Sequence, residues 1–189
     1  MKRILLAFSL LVAFSSQSFA QCAATQVPVR VYLMYGLVSA AMSSGMSDLV
    51  AKMNRIKGVK ATVHEWVESG SIASDAASQN AAIVIGGHSI GANAAVTAAN
   101  QLNGKKRVAV ILGFDPSSLA PLDAVPPNVT RAIGFRQDHN PFGGNKLVAA
   151  SGGTSVSNIF RDMNHIAIDK SDEIHRISMS AVCSIGSRG

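Results

Sequence analysis

Two hydrophobic periods alternate along the chain. Val29 to Tyr35 is β-rich and stops at Gly36, which predicts a strand. Apolar residues at Met46, Leu49, Val50, Met53 and Ile56 then follow helical spacing, and Gly58 ends that helix. Val59 to Val67 reads as a second strand and Ser71 to Gln79 as a short helix. Ala81 to Ile85 is a continuous apolar run, as expected for a central strand covered on both faces. Ala92 to Leu102 is alanine-rich and helical, with Asn103-Gly104 as its stop. Further strands are expected at Arg107 to Phe114, Val129 to Phe135 and Ser155 to Arg161, with a proline-rich loop from Asp115 to Pro127. Ser171 to Cys183 reads as a terminal helix, with Ser171 as its cap and Glu173 in its first turn. Such alternation predicts an α/β fold, a three-layer sandwich with a mostly parallel central sheet. Ligands of such sheets bind beyond the carboxyl ends of the strands.

The start of the chain does not belong to that pattern. Lys2-Arg3, the apolar stretch Ile4 to Phe14, and the small residues Ser18 and Ala20 predict a secretory signal at 1–20, cut after Ala20. At about eleven residues the apolar stretch is too short to span a bilayer. Gln21 before Cys22 argues against a lipid attachment site. The remainder, 21–189, is expected to be a single domain without a cap, exported to the periplasm or secreted. No later segment is long and apolar enough for a membrane span. An oxidising destination makes Cys22 and Cys183, near the two ends of the mature chain, a predicted disulfide.

Composition narrows the classes further. With 48% hydrophobic and 15% charged residues, disorder and coiled coil are excluded, and two cysteines cannot form a cysteine-ligated zinc cluster. Removing Lys2 and Arg3 from 17 basic residues against 11 acidic ones leaves a mature charge of +4. That charge is scattered, with no basic run beyond Lys105-Lys106-Arg107, so no nucleic-acid partner is expected.

The chemistry concentrates at Gly87-His88-Ser89-Ile90-Gly91, a G-x-S-x-G pattern between the buried strand and the alanine-rich helix. Ser89 is the candidate nucleophile. Gly87 and Gly91 supply the room that a tight strand-to-helix turn demands, and the helix beyond aims N–H groups at developing negative charge. No lysine follows in the P-loop arrangement, which disfavours nucleotide binding.

From residues 86 to 94, Gly-Gly-His-Ser-Ile-Gly-Ala-Asn-Ala, the chain resembles the α/β-hydrolase superfamily, particularly small lidless esterase, lipase and thioesterase-like members. Val31 to Leu37 and Asn164 to Asp169 add support. The resemblance implies a Ser, Asp, His order of triad residues. Of five histidines, His165 occupies the position of the base, just after a strand and before the terminal helix. Asp115, in Gly113-Phe114-Asp115-Pro116, is the favoured acid; Asp138, after the next strand, is the alternative. Asp169 reads as a polar contact or a lead-in to the terminal helix. The backbone N–H groups of Ile90 and Leu37 are the implied oxyanion donors, with Gly36 allowing close approach. The implied function is hydrolysis of a small-molecule or lipid-like carboxylic ester or thioester through an acyl-enzyme, with no metal or organic cofactor. A non-catalytic exported binding protein, an acyltransferase and an amidase are the alternatives. Phe142 to Asn158, rich in Gly and Ser, reads either as a mobile rim or as an ordinary connection. Trp66 and Phe142 are candidates for an acyl pocket, with core or rim packing the plainer role.

Overall fold

The computed structural model describes residues 22–187, so the expected signal at 1–20 lies outside the described residues. Six strands, β1 (Ala24–Met34), β2 (Lys57–His64), β3 (Ala82–His88), β4 (Val108–Phe114), β5 (Val129–Arg136) and β6 (Ser155–Phe160), form one sheet in the order β2-β1-β3-β4-β5-β6. Every pairing is parallel. Helices α1 (Ser39–Met53), α2 (Ser69–Ser78), α3 (Ile90–Gln101), α4 (His165–Ile168) and α5 (Asp172–Cys183) connect and cover it.

Period-two alternation assigns side chains to the two faces of the sheet. Val31 and Leu33 of β1, Val84 of β3, and Leu112 and Phe114 of β4 pack with Met46, Leu49 and Met53 of α1 and with Ile174 and Val182 of α5. Tyr32 and Met34, Ile83 and Ile85, and Ile111 point the other way, onto Ile72 of α2 and the alanines of α3. Alanine lets α3 lie close against the sheet, and the helix needs no long apolar residue there. The result is the three-layer sandwich expected from the pattern.

Several boundaries differ from the sequence expectation, and four of the differences have a clear local reason. β1 begins at Ala24 rather than Val29; its first residues are largely exposed, and the register with β2 shifts between Ala24 and Val29, around Pro28, which has no N–H to donate. α1 begins at Ser39, seven residues before the apolar spacing, because Ala40, Ala41 and Met42 face solvent and carry no helical stripe. β2 ends at His64 rather than Val67, since the Glu65 N–H is taken by the Glu68 carboxylate at 2.7 Å and a 3-10 turn, Trp66–Glu68, starts there. His165, expected between a strand and the terminal helix, opens a one-turn helix of its own, α4, whose Asn164 side chain accepts the Ala167 N–H at 2.9 Å. Cys22 and Cys183 form the expected disulfide, with Cα atoms 5.8 Å apart.

Candidate active site

β3 runs buried into Ser89, and the backbone reverses there. Ser89 has φ 57° and ψ −126°, and α3 starts at the next residue. Such a conformation is sparsely populated by residues with a side chain and must be held by its surroundings. Those surroundings are visible: the Ser89 N–H donates to the Phe114 carbonyl at 2.9 Å, and its carbonyl accepts from Ala92 and Ser117. A Cβ on Gly87 would fall 2.5 Å from the Gly91 backbone, whereas one on Gly91 would fall 2.4 Å from the Tyr35 carbonyl. The two glycines therefore serve different contacts. Gly87 accommodates the start of α3, and Gly91 accommodates the end of β1.

Asp115 ends β4 in a second positive-φ turn, at φ 50°. Its side chain is 0% exposed, that of His165 is 7% exposed, and His165 Nδ1 lies 2.6 Å from Asp115 Oδ2. Three further donors converge on the carboxylate: the Gly144 N–H at 2.7 Å, the Gln137 N–H at 3.3 Å and the Gln137 side-chain amide at 2.9 Å. An ionised carboxylate accepting this many bonds is acceptor-only, so Nδ1 carries the imidazole proton. Nε2 is then the nitrogen left to take a proton from a reacting group. Asp138, by contrast, is 63% exposed and 3.8 Å from the exposed His139, away from this cluster.

The other histidines have structural occupations. His64 contacts Thr62 and Glu68, His139 pairs with Asp162, and His175 donates from α5 to the Asp169 carbonyl.

Ser89 and His165 line one cavity of about 200 Å³ together with Gly36, Leu37, Val38, Met42, Ser43, His88, Leu119 and Phe142. No charged Asp, Glu, Lys or Arg side chain lines it, and five of the ten lining residues are apolar side chains turned substantially to solvent. Gly36 comes close to Ser89: a Cβ there would sit 3.0 Å from Ser89 Cβ. Leu37 follows it at the mouth. Ile90, as the first residue of α3, has an N–H with no carbonyl a turn earlier to receive it. Its side chain faces a neighbouring groove lined by Trp66 and Val67, so Trp66 stands outside the Ser89 cavity.

Three contributors went unrecognised in the sequence. Gly143 is pressed against Asp115 and His165: a Cβ there would lie 2.1 Å from Asp115 Oδ2 and 2.7 Å from His165 Nδ1. With Gly144 donating to Asp115 and Asn145 bound to Ser117 and Pro116, this start of the glycine-rich stretch is a clamp on Asp115. Gln137 is the second contributor. The third is His88 with Ser43, treated below. One signal was available for His88: it ends a strand buried on both faces, so its ring had to be buried and partnered.

The fold is a three-layer α/β sandwich. Its parallel sheet gathers the candidate groups beyond the carboxyl ends of β1, β3 and β4 and ahead of α5. No protein-family model matches the chain, and no curated protein does. Among solved structures it is similar to one from Xanthomonas campestris pv. campestris that is provisionally named a hydrolase of the alpha/beta superfamily. The two share 13% identity at a TM-score of 0.48, over 82% of this chain and 95% of that one.

Proposed function

We propose that the chain is an exported serine hydrolase that cleaves carboxylic esters or thioesters carrying an uncharged, apolar acyl group. The observation carrying this reading is the buried Asp115–His165 pair, whose histidine lines one cavity with Ser89 at its positive-φ turn. A serine hydroxyl becomes nucleophilic only when a base removes its proton in the transition state. His165 Nε2 takes that proton as Ser89 Oγ attacks the acyl carbon, and Asp115 holds the imidazole tautomer and stabilises the imidazolium. The N–H groups of Ile90 and Leu37 receive the oxyanion, reinforced by the amino end of α3. The imidazolium then protonates the departing alcohol or thiol, and a water activated by the same nitrogen frees the acid and Ser89.

The cavity supports the acyl preference. An apolar cavity of about 150 Å³ holds benzene, so the roughly 200 Å³ here has room for a short acyl group. The disulfide and the lack of a membrane-crossing helix among the described residues are compatible with export. The test is turnover of p-nitrophenyl esters of increasing chain length, with fluorophosphonate labelling. Ser89-dependent hydrolysis that falls off for long or charged acyl groups is expected. A Ser89→Ala variant of full activity overturns the reading, and a folded protein inert to both reagents is a binding protein.

A further inference from the structure

We propose that His88, acting through Ser43, is a positioning residue that fixes the Gly36 turn and the His165 backbone relative to each other; this rests on the hydrolase reading above. The hydrogen-bond directions follow from chemistry. His88 Nε2 lies 2.9 Å from the His165 carbonyl, which can only accept, so Nε2 bears the proton. In the neutral ring Nδ1 is then an acceptor, and its partner at 2.8 Å is the Ser43 hydroxyl, which must donate. The Ser43 oxygen in turn accepts the Gly36 N–H at 3.0 Å. One unbroken relay thus joins the turn before the candidate donor Leu37 to the backbone of the candidate base.

Two further features belong to this arrangement. The His88 ring lies against that of His165 in a tilted contact, with centroids 4.6 Å apart and planes 36° from parallel. α1 leaves helical geometry at Ser43, with φ −123° and ψ 31°, at the residue whose hydroxyl enters the relay. Ser43 and His88 are each 1% exposed, so water does not compete for these bonds. Burial, followed by the adjoining His165, pushes His88 down to about 4, which keeps the ring neutral at ordinary pH. The consequence is preorganisation: the oxyanion turn and the base are set before substrate arrives.

The experiment compares the parent, Ser43→Ala, His88→Gln, His88→Ala and the Ser43→Ala/His88→Gln double variant on one short p-nitrophenyl ester, each normalised by fluorophosphonate active-site titration, with Ser89→Ala, normalised by protein concentration, as the control. Ser43→Ala and His88→Gln are expected to lower kcat per titrated site about tenfold or more while KM changes less than about threefold. The double variant is expected to lose little more than the worse single, since both break one relay. Glutamine retains a donor for the His165 carbonyl, so His88→Gln should outperform His88→Ala. Ser43→Ala removes a single oxygen and serves where His88 variants fold poorly. A kcat per site within twofold of the parent in Ser43→Ala, or additive losses in the double variant, overturns the proposal. Activity independent of Ser89 overturns the hydrolase reading instead, which separates the two failures.

Discussion

Asp169 is a buried carboxylate held without good hydrogen bonds, and replacing it should stabilise the protein. It follows α4, is fully buried, and neither carboxylate oxygen has a hydrogen-bond partner of good geometry among the described residues. α1 presses directly on it, since a Cβ on Gly45 would fall 1.9 Å from its carbonyl oxygen. Burial raises its pKa from 3.8 to about 6, although Lys170, the Gly45 and Asp169 amides and His165 pull the other way. The folded protein therefore holds this proton more tightly than the unfolded chain does. Stability contributed by the protonated acid is present below pH 4 and is lost as pH rises through about 6. The difference amounts to about 3 kcal/mol against folding at neutral pH. Asp169→Asn keeps the shape and removes the charge. Its melting temperature at pH 7.5 should exceed the parent's by roughly 6–12 °C for a domain of this size. Near pH 4 the gap should close. His88, whose pKa is lowered, gives the opposite slope in this window, but it is present in both proteins and cancels in the comparison. Equal melting at pH 7.5, or a gap that persists unchanged at pH 4, would refute the reasoning.

Other substitutions probe the site directly. Gly143→Ala should reduce ester hydrolysis at least a hundredfold, because its methyl would occupy the space of the Asp115–His165 hydrogen bond; a kcat near that of the parent would show that the clamp is not needed. Asp115→Asn should lower kcat by about 10⁴ through loss of the correct imidazole tautomer, while Asp138→Asn should leave kcat unchanged; steady-state kinetics on the two variants decides between the acids. Reducing the Cys22–Cys183 bridge, which spans 161 residues, should lower unfolding stability by up to about 5 kcal/mol in the chain-entropy model, measured by urea denaturation with and without reductant.

The sheet was legible where strands are buried on both faces. Ile83, Val84 and Ile85 form an apolar run too short and too continuous to be a surface element, and the helix pattern after them left one position for the turn. Elements whose residues face water gave no such trace, which is why the exposed first turn of α1 and the outer end of β1 were missed. The turn at Ser89 was legible because its requirements are local: a reversal there needs small residues two positions either side. Support for the acid was not, because Gly144 meets Asp115 from 29 residues away and its glycine signal resembles that of any loop. The choice between Asp115 and Asp138 was likewise a tertiary matter, since each follows a strand and the geometry at β4 alone turns a carboxylate inward.

The bond between Cys22 and Cys183 has a topological meaning for this site. It makes the chain a closed ring, and Ser89, Asp115 and His165 all lie on it. When heat loosens the domain, the three side chains remain tethered at both ends, and the ring limits how far they can drift apart. Recovery of hydrolysis on cooling should then be fast and nearly complete while the ring is intact, whereas a cut ring must search again from free termini.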